Sequence, residues 1–145
     1  MDVKSLMIGD IVEYRNVNEQ TQICKVCSVS NLDGGIIYCE FEDGVYDVHQ
    51  STIHPIHITE EILKKNGFTW TVWGNNNTHA TLLIQDKRAF IEWRAHSSYL
   101  AIWFDYDEHN DGVYADIVIP VKYLHELQHA LRLAGLEDVA DNFEI

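Results

Sequence analysis

Apolar residues in the first 58 positions fall into short alternating runs, each closed by Gly, Asp or Asn. Ile11–Arg15 alternates and is followed by the polar stretch Asn16–Gln20. Thr21–Val29 forms the next run, broken at Asn31–Gly35. Ile36–Phe41 follows, closed by Glu42, Asp43 and Gly44, and then Val45–His49. Side chains along a strand alternate between faces, so these runs predict strands with one buried side. Their spacing of about ten residues predicts a small rolled sheet or barrel.

Thr59 suits a helix N-cap: its hydroxyl can accept from a backbone amide of the first turn, and Glu60 and Glu61 favour the positive helix end. Asn66 and Gly67 suit the stop. Five further strand patterns follow: Phe68–Trp73, Thr78–Ile84, Phe90–Arg94, Tyr99–Phe104 and Tyr114–Ile119, with turns at residues 74–77, 86–88, 96–98 and 110–112. This pattern predicts an antiparallel meander. A last helix is expected from Pro120 to Ala134, with Gly135 ending it. At about 100° per residue, Tyr123, Leu124, Leu127, Ala130, Leu131 and Ala134 share an arc of roughly 120°. His125, Glu126 and His129 fall on the opposite face, so both histidines are expected to point away from the core. The expected fold class is α+β. Residues 1–58 form a small β-barrel resembling SH3-like barrels, with a return strand ending near Pro55. Residues 59–67 form a connecting helix, and residues 68–145 an antiparallel sheet covered by the C-terminal helix.

Composition narrows the function classes. The net charge is −13, and phosphate backbones demand basic surfaces, so nucleic-acid binding is not expected. The charge is uneven: residues 101–145 hold 10 acidic and 2 basic side chains, a net −8, whereas residues 59–100 are near neutral. No apolar run reaches the length of a membrane span, and residues 1–10 lack a signal-peptide pattern. Three cysteines without a disulfide framework fit a reducing compartment, so a cytoplasmic location is expected. Cys24 and Cys27 form a C-x-x-C, but three residues along a strand separate the sulfurs onto opposite faces, which favours small apolar strand residues over a metal site.

One pentapeptide spells a specific chemistry. His125-Glu126-Leu127-Gln128-His129 matches H-E-x-x-H, in which two histidines one helical turn apart hold zinc and the glutamate activates a water. The surroundings do not complete it. Arg132 and Gly135 stand where an extended motif needs Gly and His, and Lys122 and Arg132 share the histidine face. His79, His96 and His109 are the upstream candidates for a third ligand. His49, His54 and His57 form a second histidine group, and Asp107–Gly112 a partial calcium-loop pattern that has Val118 where Glu is required. Trp70, Trp73, Trp93 and Trp103 all fall in the meander, where any on an uncovered face would form a ligand-binding aromatic patch.

Two segments carry a resemblance. His54–Phe68, reading H-P-I-H-I-T-E-E-I-L-K-K-N-G-F, is similar to a recurring P-I-x-L-T-x-E-I-L-x-x-N-G-F stretch, and Tyr123–Gly135 is similar to a V-H-x-L-Q helix. Both resemble small proteins encoded by gut bacteria and their phages, a family that implies no activity or cofactor. The leading expectation is a non-enzymatic, phage-derived interaction protein that binds a host or phage protein and needs no cofactor. The alternatives are a zinc hydrolase using Glu126 with His125 and His129, and a small-ligand or nucleotide binder using the tryptophan-bearing face.

Overall fold

The computed structural model describes residues 1, 3–30, 35–74, 77–107 and 114–145. The protein is α+β and contains two five-stranded antiparallel sheets. The first comprises β1 (Ile11–Arg15), β2 (Thr21–Val29), β3 (Ile36–Phe41), β4 (Gly44–His49) and β5 (Ile53–His54) in the order β4-β3-β2-β1-β5. The expected closed barrel is not formed among the described residues. The returning strand β5 is two residues long and pairs with β1 alone, through Glu13–His54 and Tyr14–Ile53, leaving β4 and β5 as separate edges. Val12, Cys24, Val26, Ile37, Cys39 and Ile53 point to one side and form the core of this sheet with Leu6. All three cysteines are free thiols. Cys24 and Cys39 are core residues, while Cys27 sits at the bulge where β2 slips register against β3. A hydrogen bond with Cys39 and burial both push the Cys24 thiol up, so it stays protonated.

Helix α1 (Glu60–Lys65) forms as its sequence dictates. The Thr59 hydroxyl accepts from Ile62 N at 3.3 Å, and Gly67 leaves the helix with φ +84°. The second sheet comprises β6 (Thr69–Trp73), β7 (Asn77–Ile84), β8 (Ala89–Arg94), β9 (Tyr99–Trp103) and β10 (Ile117–Pro120), in the order β10-β9-β8-β7-β6. Cross-strand register places Trp70, Ala80, Trp93, Leu100 and Ile119 in one row, with Leu82, Ile91, Ile102 and Ile117 beside it. This is the core face: Ala80, Ile91, Trp93, Leu100 and Ile102 are buried, and α1 packs against β6 with Ile62 and Leu63 buried. The Trp93 indole donates to Val121 O at 3.0 Å, which satisfies its polar edge inside the core.

Helix α2 spans Leu124–Leu133 and α3 spans Glu137–Asp141. The helix expected to belong with the meander groups with the first sheet, where it packs on β1. Residues Met1–His57 and Tyr123–Phe143 make one compact unit, and Ile58–Lys122 with Glu144–Ile145 make the other. The physical reason is polar: α2 carries buried side chains whose hydrogen-bond partners lie at the start of β1.

Candidate functional site

Leu124, Leu127, Ala130 and Leu131 form the apolar seam of α2, as their spacing requires. Burial extends past that seam. Gln128 is fully buried, His125 is 6% exposed, and the Arg132 side chain is 10% exposed. The expectation that both histidines point away from the core is therefore wrong. The polar side of α2 faces Asp10, a carboxylate with no solvent exposure.

Asp10 is held from three directions. Met7 N donates to Oδ2 at 2.8 Å, His129 Nε2 donates to the same oxygen at 2.7 Å, and Arg132 Nη1 donates to Oδ1 at 2.7 Å. Because a carboxylate only accepts, the His129 proton facing it is on Nε2. Arg132 also gives Nε to Asp141 of the α3 segment at 3.1 Å. Gly9, at φ +92°, makes room for this arrangement: a Cβ there would lie 2.7 Å from Arg132 Nη2. Gln128 closes the contact by accepting from Ile11 N at 2.9 Å and donating to Gly9 O at 3.2 Å and Ala140 O at 3.0 Å. A buried amide thus replaces the missing ladder partners of the turn into β1.

The remaining members of the H-E-x-x-H pentapeptide have similar uses. Glu126 accepts from Tyr123 N at 3.0 Å through Oε2, half of a capping box at the start of α2. His125 lies between rings, stacked on Tyr123 with centroids 5.9 Å apart and edge-on to His129 at 5.7 Å. Its Nδ1 is buried without a hydrogen-bond partner. Burial pushes the His125 pKa below its ordinary value, against the opposing pull of the Asp10 and Glu126 carboxylates. No group of three or more His, Cys, Asp or Glu side chains placed to hold a metal occurs among the described residues. His49 accepts from Ser51 N at the cap of a short 3-10 turn, His54 pairs with Glu13 in the sheet, and the His57 ring packs on Tyr123. His109 and most of the calcium-like loop, residues 108–112, lie outside the described residues.

The second arrangement is on the outer face of the second sheet. Here Thr71, His79, Arg94, Tyr99 and Pro120 form one row, Thr81, Glu92, Ala101 and Val118 the next, and Leu83, Phe90 and Trp103 a third. The tryptophans divide between the faces: Trp73 and Trp103 are outward, Trp70 and Trp93 are on the core side. Trp73 is 64% exposed and Trp93 only 5%. Phe90 stacks against Tyr106 and lies 5.5 Å from Trp103, which fixes the outer rings. A groove of about 530 Å³ runs over β9, with Ala101 in its lining, Tyr99, Trp103, Tyr114 and Val118 supplying apolar surface, and Arg94, His96 and Ser97 supplying polar groups. Arg94 donates Nε to Glu92 Oε1 at 2.5 Å, and His79 Nδ1 is 3.5 Å from the same oxygen. The alternation of β6 could have separated Trp70 from Trp73. The buried use of Asp10, Gln128 and Arg132 has a fainter signal, a glutamine bordering the apolar stripe of α2. No protein-family model, curated protein or solved structure matches this chain.

Proposed function

We propose that this chain is a non-enzymatic binding protein that engages a protein partner through the outer face of its second sheet. The observation that carries this reading is the set of exposed apolar side chains of this face: Tyr99, Val118 and Tyr114 at the groove, Leu83 on β7 and Trp73 at the end of β6. Large apolar surfaces left in water favour association, and aromatic residues are enriched where partners bind. The net charge of −13 supports steering toward a basic partner surface. The three free thiols support a cytoplasmic setting, and the likeness of residues 54–68 and 123–135 to phage-encoded proteins supports a phage origin. The first unit, a five-stranded meander whose last strand returns beside the first, fits an opened SH3-like sheet.

The zinc-hydrolase alternative is less well supported, since His129 is bonded to Asp10 and Glu126 to the helix start. Its test is metal content after purification without chelator.

Affinity capture from bacterial lysate tests the leading reading. Immobilised native chain is compared with a Tyr99→Ser/Trp103→Ser variant at low and high salt. A partner retained by the native chain and lost with the variant is the expected result. Equal recovery from both overturns the reading.

A further inference from the structure

The two sheets end on four edge strands, and three of these are guarded against a further strand. β5 is two residues long, β4 carries Asp47, and β10 ends on Pro120. Short length, charge and proline each hinder pairing at an edge. β6 has none of these. It reads Thr-Trp-Thr-Val-Trp over Thr69–Trp73, every residue of high strand propensity. Val72 is 67% exposed, and Thr69, Thr71 and Trp73 are exposed with it. The ladder fixes which backbone groups are unused. Ala95 N donates to Thr78 O, so Thr78 turns toward β8, and Ala80, two residues on, turns the same way. Val72 and Trp70 lie opposite Thr78 and Ala80. They are therefore in the non-hydrogen-bonded pairs of the β6–β7 ladder, and their N–H and C=O groups point away from β7 along the open edge.

We propose that β6 pairs with β6 of a second copy of this chain, antiparallel about a two-fold axis at Thr71. In that register the outward groups meet: Trp70 exchanges both backbone hydrogen bonds with Val72 of the second copy, and Val72 does the same with Trp70 of the second copy. The strand satisfies itself when read in reverse, as an isologous contact requires. The side chains agree with the backbone. Trp70 and Val72 share the core side, so each exposed Val72 is covered by the indole of the other copy. Thr69, Thr71 and Trp73 share the outer side, where Trp73 meets Thr69 and the two Thr71 side chains meet at the axis. Charge selects the same edge. Copies of a chain with net charge −13 repel, but residues 59–100 hold 4 acidic and 5 basic side chains, and β6 itself has no charge. The contact uses the strand edge and leaves the groove free, so it does not rest on the reading of the outer face. Five residues per copy bury less than a permanent interface, so the dimer is concentration-dependent, with a Kd on the order of 100 μM.

Sedimentation velocity of the full chain from about 5 to 500 μM reads the association, and a shift from monomer toward dimer is expected. Val72→Pro removes an outward N–H and no bond to β7, and Thr71→Lys sets two ammonium groups across the axis. Each is expected to raise the Kd about tenfold or more with the urea midpoint little changed. Amide exchange reads the register: Trp70 and Val72 gain protection as concentration rises, while Thr71, bonded to β7, does not. Thr71→Cys is expected to give a disulfide-linked dimer under mild oxidant, because the Cα atoms of a non-hydrogen-bonded pair lie about 4.5 Å apart. Thr69→Cys is the control, and it should cross-link no more than the native chain with its three cysteines. Monomer throughout the concentration range, equal cross-linking at positions 69 and 71, or a dimer that survives both Val72→Pro and Thr71→Lys overturns the proposal. A dimer lost in the Tyr99→Ser/Trp103→Ser variant overturns it too, because the copies then meet through the outer face. If that variant dimerises normally and keeps its captured partner, the outer-face reading falls and the edge contact stands.

Discussion

The residue that organises the first unit is Asp10. A buried carboxylate is tolerable only when its charge is matched and its lone pairs are used, and Met7 N, His129 and Arg132 do both. Removing one partner strands the others, so Asp10→Ala is expected to destabilise the protein by about 3–5 kcal/mol, read from urea midpoints. Glu126 is a different case. Its Oε2 accepts from Tyr123 N at 3.0 Å, and Gln preserves an acceptor there, so Glu126→Gln is expected to cost about 0.5 kcal/mol or less. A cost near that of Asp10→Ala would mean that Glu126 has a buried ionic role. His125 supplies a pH dependence. Burial lowers its pKa in the folded state below 6.5. As pH falls below 6.5, the unfolded chain takes up this proton before the folded chain does. Stability is therefore full above that pH and declines below it. Urea unfolding between pH 8 and pH 5.5 should show the decline, and His125→Phe should flatten it by keeping a ring against Tyr123. Identical pH slopes in the two proteins would sink the assignment.

At the scale of elements, local pattern was a good guide wherever local chemistry decides. Thr59 caps α1, the Asn66–Gly67 stop ends it, and four of the five meander strands form near their expected spans, while the last begins at Ile117 rather than Tyr114. It failed at Pro120, which reads as the first residue of a helix but ends edge strand β10, opposite Tyr99. An edge position tolerates a residue without an N–H. The four tryptophans looked like one group because strand register is needed to assign faces across β6, β8 and β9. The choice of sheet for α2 was not legible either. Gln128 and Arg132 bond to groups 119 and 122 residues away, and no local pattern announces a partner at that distance. What did show was the stop of α2. Gly135 has φ +75°, and Leu136 N bonds Leu131 O at 2.8 Å, a Schellman-type closure. Gly135→Ala has open space for its methyl but a strained backbone, so it is expected to cost about 1 kcal/mol. An unchanged urea midpoint would show that the turn relaxes instead.

For the whole molecule, the chain leaves the first unit after His57 and re-enters it at Tyr123. Those two residues form an antiparallel bridge, and Leu124 N donates to Ile56 O at 2.9 Å, so the exit and return lie side by side. A unit closed in this way does not need the intervening residues to bring its parts together. It does need α2, because residues 1–57 alone leave Asp10 and the Gly9–Ile11 backbone without Arg132, His129 and Gln128. We therefore expect a chain of residues 1–57, a Gly/Asn linker of about four residues and residues 123–143 to fold cooperatively. Residues 1–57 alone should lack dispersed amide signals in NMR, and Asp10→Ala in the joined chain should abolish them. Adding a peptide of residues 123–143 to the fragment should restore part of the dispersion, weakened by the entropy of bringing two chains together. The decisive comparison is between the joined chain and the fragment. If both are unfolded, the first unit depends on residues 58–122 for more than connection. If both are folded, the buried Asp10 contact contributes far less than its complete set of partners implies.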